Sequence, residues 1–217
     1  MPSRYVHRAI AFEHLEKFPG CPNEDDFYYG SNEPDRCYWS GNTESKEETH
    51  YIAKAADNRQ ARTDWSSFLQ DNPDDNPFTR GRLLHIHSDA MITDENIGMI
   101  DPAEIKEIKT IAGTDYERIK KLSCSRTDLD ILNKYKGNPR FRMAKGAEEL
   151  FSRENVESLQ KDLEGLDDKT AGLVEKMSNS ERMFRYVDAM ASVDLGKLRE
   201  QITLQVQKTK QGGTPYA

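Results

Sequence analysis

The residues best suited by type and spacing to do chemistry lie in His85–Asp89 (HIHSD), at the end of a short apolar run. Imidazole nitrogens and carboxylate oxygens are the donors that bind divalent ions such as zinc. Side chains alternate between faces along a strand, so H-x-H spacing in a strand sets both imidazoles side by side. Arg82–His87 (RLLHIH) reads as the best strand candidate, which makes His85, His87 and Asp89 a candidate metal set. An ion held there would activate water for hydrolysis.

The longer string LLHIHSDAMI…IDPAEIKEI resembles the opening motif of the PHP-type metal-dependent phosphoesterases. In that family an H-x-H-S/T-D stretch ends the first strand and a P-x-E helix follows. The resemblance covers about 25 residues and implies a barrel of alternating strands and helices with a metal-dependent phosphoesterase activity. The family also uses histidines further downstream. This chain has none after His87, and its other three, His7, His14 and His50, all lie upstream. A second string, Thr93–Glu104 (TDENIGMIDPAE), resembles a calcium-binding EF-hand loop, with Gly98, Ile100 and Glu104 at the sixth, eighth and twelfth positions. Its fifth position is Ile97, which offers no oxygen, and its first is Thr93 rather than a carboxylate. A turn followed by a helix capped at Asp101 is expected there instead.

Other templates are absent. The chain has no G-x-S-x-G, no G-x-x-x-x-G-K-S/T and no G-x-G-x-x-G. Cys21, Cys37 and Cys124 are widely spaced with no C-x-x-C, so neither a zinc knuckle nor a redox pair is indicated, and free thiols are expected. A Cys21–Cys37 bridge would need an oxidising compartment. The sequence assigns no catalytic residue and no cofactor.

The elements that must position such residues divide near position 80. Residues 1–80 hold 12 of the 19 aromatics, six of the nine prolines, and 15 acidic against 9 basic side chains. That negative half repels a phosphate backbone, which argues against nucleic acid as a partner. The expected fold class is mainly α: a multi-helix C-terminal part, 81–217, and an irregular aromatic-rich N-terminal arm, 1–80, with two helices, long loops and at most one or two short strands. The first helix is predicted over Arg4–Lys17, capped by Ser3, and the second from about Glu44 to Leu69, opened by the Ser45/Glu48 capping-box spacing. Residues 19–42, broken by Pro19, Pro22, Pro34 and three glycines, read as a long ordered loop. Beyond Asp101-Pro102 the pattern is helical. Gly113 is read as a stop, Thr114 and Thr127 as openings, Arg140–Phe151 as a further helix, and Ser152, Asp167, Ser178 and Asp194 as N-caps. The basic stretch around Arg140, Arg142 and Lys145 reads as a solvated face, and Gln211–Ala217 as a flexible end.

No run of apolar residues approaches the roughly 18 that a membrane span requires, so no membrane insertion is expected. The N-terminal segment carries acidic residues and no apolar stretch of the signal-peptide kind, which points to an intracellular setting or one inside a particle. Aromatics on irregular backbone suit docking, since Tyr and Trp are enriched in interface cores. Candidate interface residues are Phe27, Tyr28, Tyr29, Tyr38 and Trp39, with the stripe Leu195, Leu198, Ile202 and Val206. The leading expectation is therefore an accessory subunit of a larger protein assembly, such as a virus particle, with other subunits or a second copy as partners. The alternatives are a metal-dependent hydrolase using the H-x-H site and an acidic regulatory or inhibitor module.

Overall fold

The computed structural model describes residues 3–38, 41–53, 62–94, 96–143 and 151–211. It is mainly α-helical. Helix α1 (Arg4–Lys17) is followed by α2 (Glu24–Asn32), which runs into a 3-10 turn over Glu33–Tyr38. Then come α3 (Lys46–Thr49), a small antiparallel pair of β1 (Ile52–Ala53) and β2 (Arg62–Thr63), α4 (Trp65–Asp71) and α5 (Pro77–Met91). The second half contributes α6 (Pro102–Ala112), α7 (Tyr116–Tyr135), α8 (Pro139–Met143), α9 (Arg153–Asp162), α10 (Asp168–Ser178), α11 (Ser180–Ala191) and α12 (Leu195–Lys210).

Local chemistry sets many of the boundaries. The Ser3 hydroxyl accepts from the Val6 amide at the start of α1, and Asp101 caps α6 with Pro102 at its first position. Ser152, Asp167 and Asp194 cap α9, α10 and α12 as expected, and Gly113 ends α6 at φ 56°.

Five expectations are corrected. Residues 19–42 are not one irregular loop. Asn23 accepts from the Asp26 amide and three acidic residues fill the first turn, a favourable charge at the positive end of a helix, so α2 forms. The Ser45/Glu48 capping box is present, but its helix lasts one turn, and Tyr51 at φ 53° leads the chain into β1. Residues 54–61 of that segment lie outside the described residues, as do Trp39, residues 144–150 of the Arg140–Phe151 segment and the tail beyond Gln211. Thr114 and Thr127 do not open two helices, because α7 is continuous, and Asn179 rather than Ser178 caps α11. Finally, Arg82–His87 is no strand but the middle of α5. Pro77 stands at the first helical position after Asn76, whose side chain accepts from the Thr79 amide while the Thr79 hydroxyl takes the Asn76 amide. The run reads as a strand because α5 is buried nearly all round, which erases the helical period.

The compositional boundary near residue 80 falls inside α5. One hydrophobic core runs through Val6, Ile10 and Leu15 of α1, Phe27 and Tyr28 of α2, Leu83, Leu84 and Ile86 of α5, Ile131 of α7, and Met183, Tyr186 and Met190 of α11. A smaller cluster joins Ile108, Ile119, Leu122, Leu173 and Val174 under α6, α7 and α10. Cys21, Cys37 and Cys124 are free thiols. Among the described residues no helix is long and apolar enough to cross a membrane.

One buried acid gives a stability prediction. Asp128 on α7 accepts a hydrogen bond from the Ser3 hydroxyl, yet burial pushes its carboxyl up to about 7. The unfolded chain releases that proton near pH 4 and the folded chain keeps it to about pH 7. Stability from this group is therefore complete below pH 4, falls as pH rises to 7, and is level above. Asp128→Asn keeps an acceptor for Ser3 without the charge. It is expected to raise stability by on the order of 4 kcal/mol at pH 8 and little at pH 4.5. Urea melts at the two pH values measure this, and an equal effect at both would refute it.

Candidate metal centre

Five side chains from four places in the chain meet in the interior. His7 comes from α1, Asp35 from the 3-10 turn, His50 from the end of α3, and His85 and Asp89 from α5, where spacing of four sets them on one face. The ligand atoms of His7, His85 and Asp89 lie within 4.8 Å of one another, and so do those of Asp35, His50 and His85. The three histidines and Asp35 are buried, and the Asp89 side chain is 15% exposed.

Hydrogen bonds to the outer ring nitrogens orient all three imidazoles. His85 Nδ1 lies 2.7 Å from the Ser31 carbonyl, which only accepts, so Nδ1 carries the proton and Nε2 the lone pair. His50 Nδ1 lies 2.9 Å from Thr49 Oγ1, whose own proton goes to the Lys46 carbonyl. His7 Nδ1 lies 3.2 Å from Ser88 Oγ, which donates to the His85 carbonyl at 2.8 Å. His85 thus turns its Nε2 lone pair inward, and the hydroxyls beside His50 and His7 fix those two rings, as second-shell partners do for metal-binding histidines.

The inner distances have a definite scale. His50 Nε2 is 3.3 Å from His85 Nε2, 3.4 Å from Asp89 Oδ2 and 3.5 Å from Asp35 Oδ1, while His7 Nε2 is 3.3 Å from Asp89 Oδ1. Ligands bound at about 2.0–2.2 Å to a tetrahedral ion stand about 3.3–3.6 Å apart. Asp89 Oδ1 is buried with no hydrogen-bond donor. Burial, then the neighbouring His7, pulls the His85 imidazole down to about 3, so it is neutral at pH 7. Burial pushes both carboxyls up. The His50 hydrogen bond and the nearby imidazoles outweigh it for Asp35, as the His7 contact and the imidazoles do for Asp89, and both end below the usual range.

A frame of ion pairs fixes the turn that carries Asp35. Arg82 of α5 pairs with Glu33 at 2.8 Å and donates to Tyr51 Oη at 3.0 Å and Asn72 Oδ1 at 2.9 Å. Arg36 pairs with Glu33 and, through two donors, with Glu44. From the other side, Tyr186 of α11 donates to the Ser88 carbonyl.

Of the residues expected from sequence to bind metal, His85 and Asp89 are brought together and His87 is not. On a helix a step of two turns a side chain by about 200°, so His87 leaves the cluster. It is partly buried, with burial holding its imidazole low. The strand-end geometry of the phosphoesterase motif is accordingly not present. His7, Asp35 and His50 were missed, although the gathering of all five histidines within residues 1–87 was a usable signal. His14 stays outside the site: its Nδ1 donates to the Ala191 carbonyl at 3.1 Å, and burial pulls it down to about 4. Among the candidate interface residues, Phe27, Tyr28, Leu195 and Ile202 are buried in the chain's own core, Leu198 and Val206 pack against it, and Tyr29 and Tyr38 are exposed. Trp39 lies outside the described residues.

Comparison with known proteins adds no family: no family model, no curated protein and no solved structure matches the chain.

Proposed function

We propose that the chain is a divalent-metal-dependent hydrolase whose ion is held by His7, Asp35, His50, His85 and Asp89. The observation that carries this is the gathering of three histidines and two carboxylates in one buried space, as two sets of ligand atoms that share His85 and each lie within 4.8 Å. A mixed nitrogen and oxygen set suits zinc, iron or manganese. The two carboxylates balance a dication, which removes the cost of leaving them buried and unpaired. The ion would lower the pKa of a bound water toward 7 and so supply hydroxide as nucleophile. Asp89 is the most exposed of the five donors, so water and substrate would approach from its side.

The near-complete burial of the other four donors favours a second reading, an ion that only staples α1, α3, α5 and the 3-10 turn together. Docking into a larger assembly has less support, because Phe27 and Tyr28 already have a place in the chain's own core. The acidic-inhibitor reading rests on charge balance alone.

Metal analysis of the purified full chain, with hydrolysis of 4-nitrophenyl acetate, 4-nitrophenyl phosphate and bis(4-nitrophenyl) phosphate, tests the proposal. At least one bound ion per chain is expected, with hydrolysis lost on chelation and restored by the same metal. His85→Ala should abolish both, whereas His87→Ala should keep the metal. Failure to bind zinc, manganese or iron refutes the site. Bound metal with no hydrolysis of any ester supports the stapling ion instead.

A further inference from the structure

A second concave site lies away from the metal centre, where α7 faces α10 and the segment leading into α6. It is a cleft of about 130 Å³, open on one side. Its walls are mostly apolar, built by Met99, Ile105, Tyr116 and Met177, and Lys120 and Cys124 also line it. Tyr116, Lys120 and Cys124 follow one another at steps of four, so a single face of α7 supplies them.

Ligand sites are concave and mostly apolar with a few placed polar groups, and this cleft has that form. A dry cavity of about 150 Å³ accepts a ligand the size of benzene. The flexible thioethers of Met99 and Met177 suit an unbranched or adaptable guest. Two cations stand at the cleft, and one acid, Asp128, lies behind the lining Ser3 and one turn from Cys124. Lys120 lines the cleft, and the Lys109 ammonium stands 4.9 Å from the Tyr116 ring centre. The carboxylate beside Lys120 is Glu117, 3.6 Å away and 78% exposed, and an exposed pair of this kind is displaced at small cost.

We propose that this cleft binds a small anionic amphiphile, a medium-chain carboxylate whose tail of about six to eight carbons fills the apolar walls and whose head meets Lys120. A cationic ligand is repelled by Lys120 and Lys109, and a neutral alcohol gains only the apolar part. The site is independent of the metal centre and does not rest on it.

Cys124 supplies the reporter. Burial of part of the side chain, then the nearby Asp128, pushes its thiol up, and the residue is exposed and open to alkylation. The rate of Cys124 alkylation by iodoacetamide at pH 8.5, read by peptide mass spectrometry, is measured with sodium octanoate, octanol and octylamine. Octanoate is expected to slow it at least tenfold at millimolar concentration, octanol less, and octylamine least. Lys120→Met, a change at an exposed position, should weaken octanoate about tenfold and bring it level with octanol. Met177→Trp, which fills the cleft, should remove protection while the melting temperature holds. Absence of protection by octanoate overturns the site. Protection by octylamine equal to that by octanoate, or octanoate binding unchanged in Lys120→Met, overturns the assignment of the anionic head.

Discussion

Gly81→Ala is expected to lower the melting temperature by roughly 6–12 °C, equivalent to about 3 kcal/mol or more, and to release the metal. The cause is the closeness of α2 and α5. A Cβ at Gly81 would stand 2.2 Å from the Phe27 carbonyl oxygen and 2.7 Å from the Ser31 nitrogen, and one at Gly30 would stand 2.0 Å from the Phe78 carbonyl oxygen. All of these are backbone atoms, so no side chain can rotate aside and the helices must part. That separation acts directly on the site. Ser31, next to Gly30 on α2, supplies the carbonyl that fixes the His85 tautomer, and His85 lies one turn beyond Gly81 on α5. The orientation of the ligand therefore depends on a contact that only glycine permits. Gly172→Ala is the control: its Cβ would meet nothing within 4 Å in the middle of α10, and a small gain of about 0.5–1 kcal/mol is expected. Thermal melts with metal analysis decide the matter. A Gly81→Ala protein that melts within 2 °C of the parent, with its metal retained, would show that the crossing has slack.

For the metal site proposed above, removal of the ion is expected to lower the melting temperature by about 8–16 °C. A ligand present at about a thousandfold over its dissociation constant stabilises the folded state by about 4 kcal/mol. Each kcal/mol shifts the melting temperature of a chain this size by about 2–4 °C. The folded state without the ion also keeps the carboxyls of Asp35 and Asp89 close together among the imidazoles. Differential scanning calorimetry of the metal-loaded and chelated protein measures the shift. His85→Ala should melt at the chelated temperature and respond to neither metal nor chelator. Identical melts with and without chelator in the parent protein would exclude a stabilising ion at these five residues.

The parts of the fold that were legible in the sequence are those set within a few residues. Ser3 before α1, Asp101 with Pro102, Gly113, and Asp194 before α12 each act through a hydrogen bond or a backbone angle beside them. Helix α5 was illegible because it is buried on nearly every side, and periodicity needs a contrast between faces. The site was legible only as His85 and Asp89. His7, Asp35 and His50 reach it through tertiary packing across a separation of up to 82 residues, from His7 to Asp89. Their common signal is compositional, the histidines confined to the first part of the chain, and composition does not say which atoms meet. His87 shows the converse error: an H-x-H spacing has meaning only once the period of the backbone is known.

The order in which the donors appear has a consequence for how the protein is made. His7, Asp35, His50, His85 and Asp89 are all translated before any residue of α6 to α12 exists. At the usual synthesis rate of about 5–20 residues per second, several seconds separate Asp89 from Tyr186, the α11 residue that closes against Ser88. During that interval the nascent chain already holds a full set of ligands with the later helices not yet in place. For the metal site proposed above, loading while the chain is still on the ribosome, before α11 is in place, is therefore the easier route, and a finished apoprotein is expected to take up metal more slowly than a growing one.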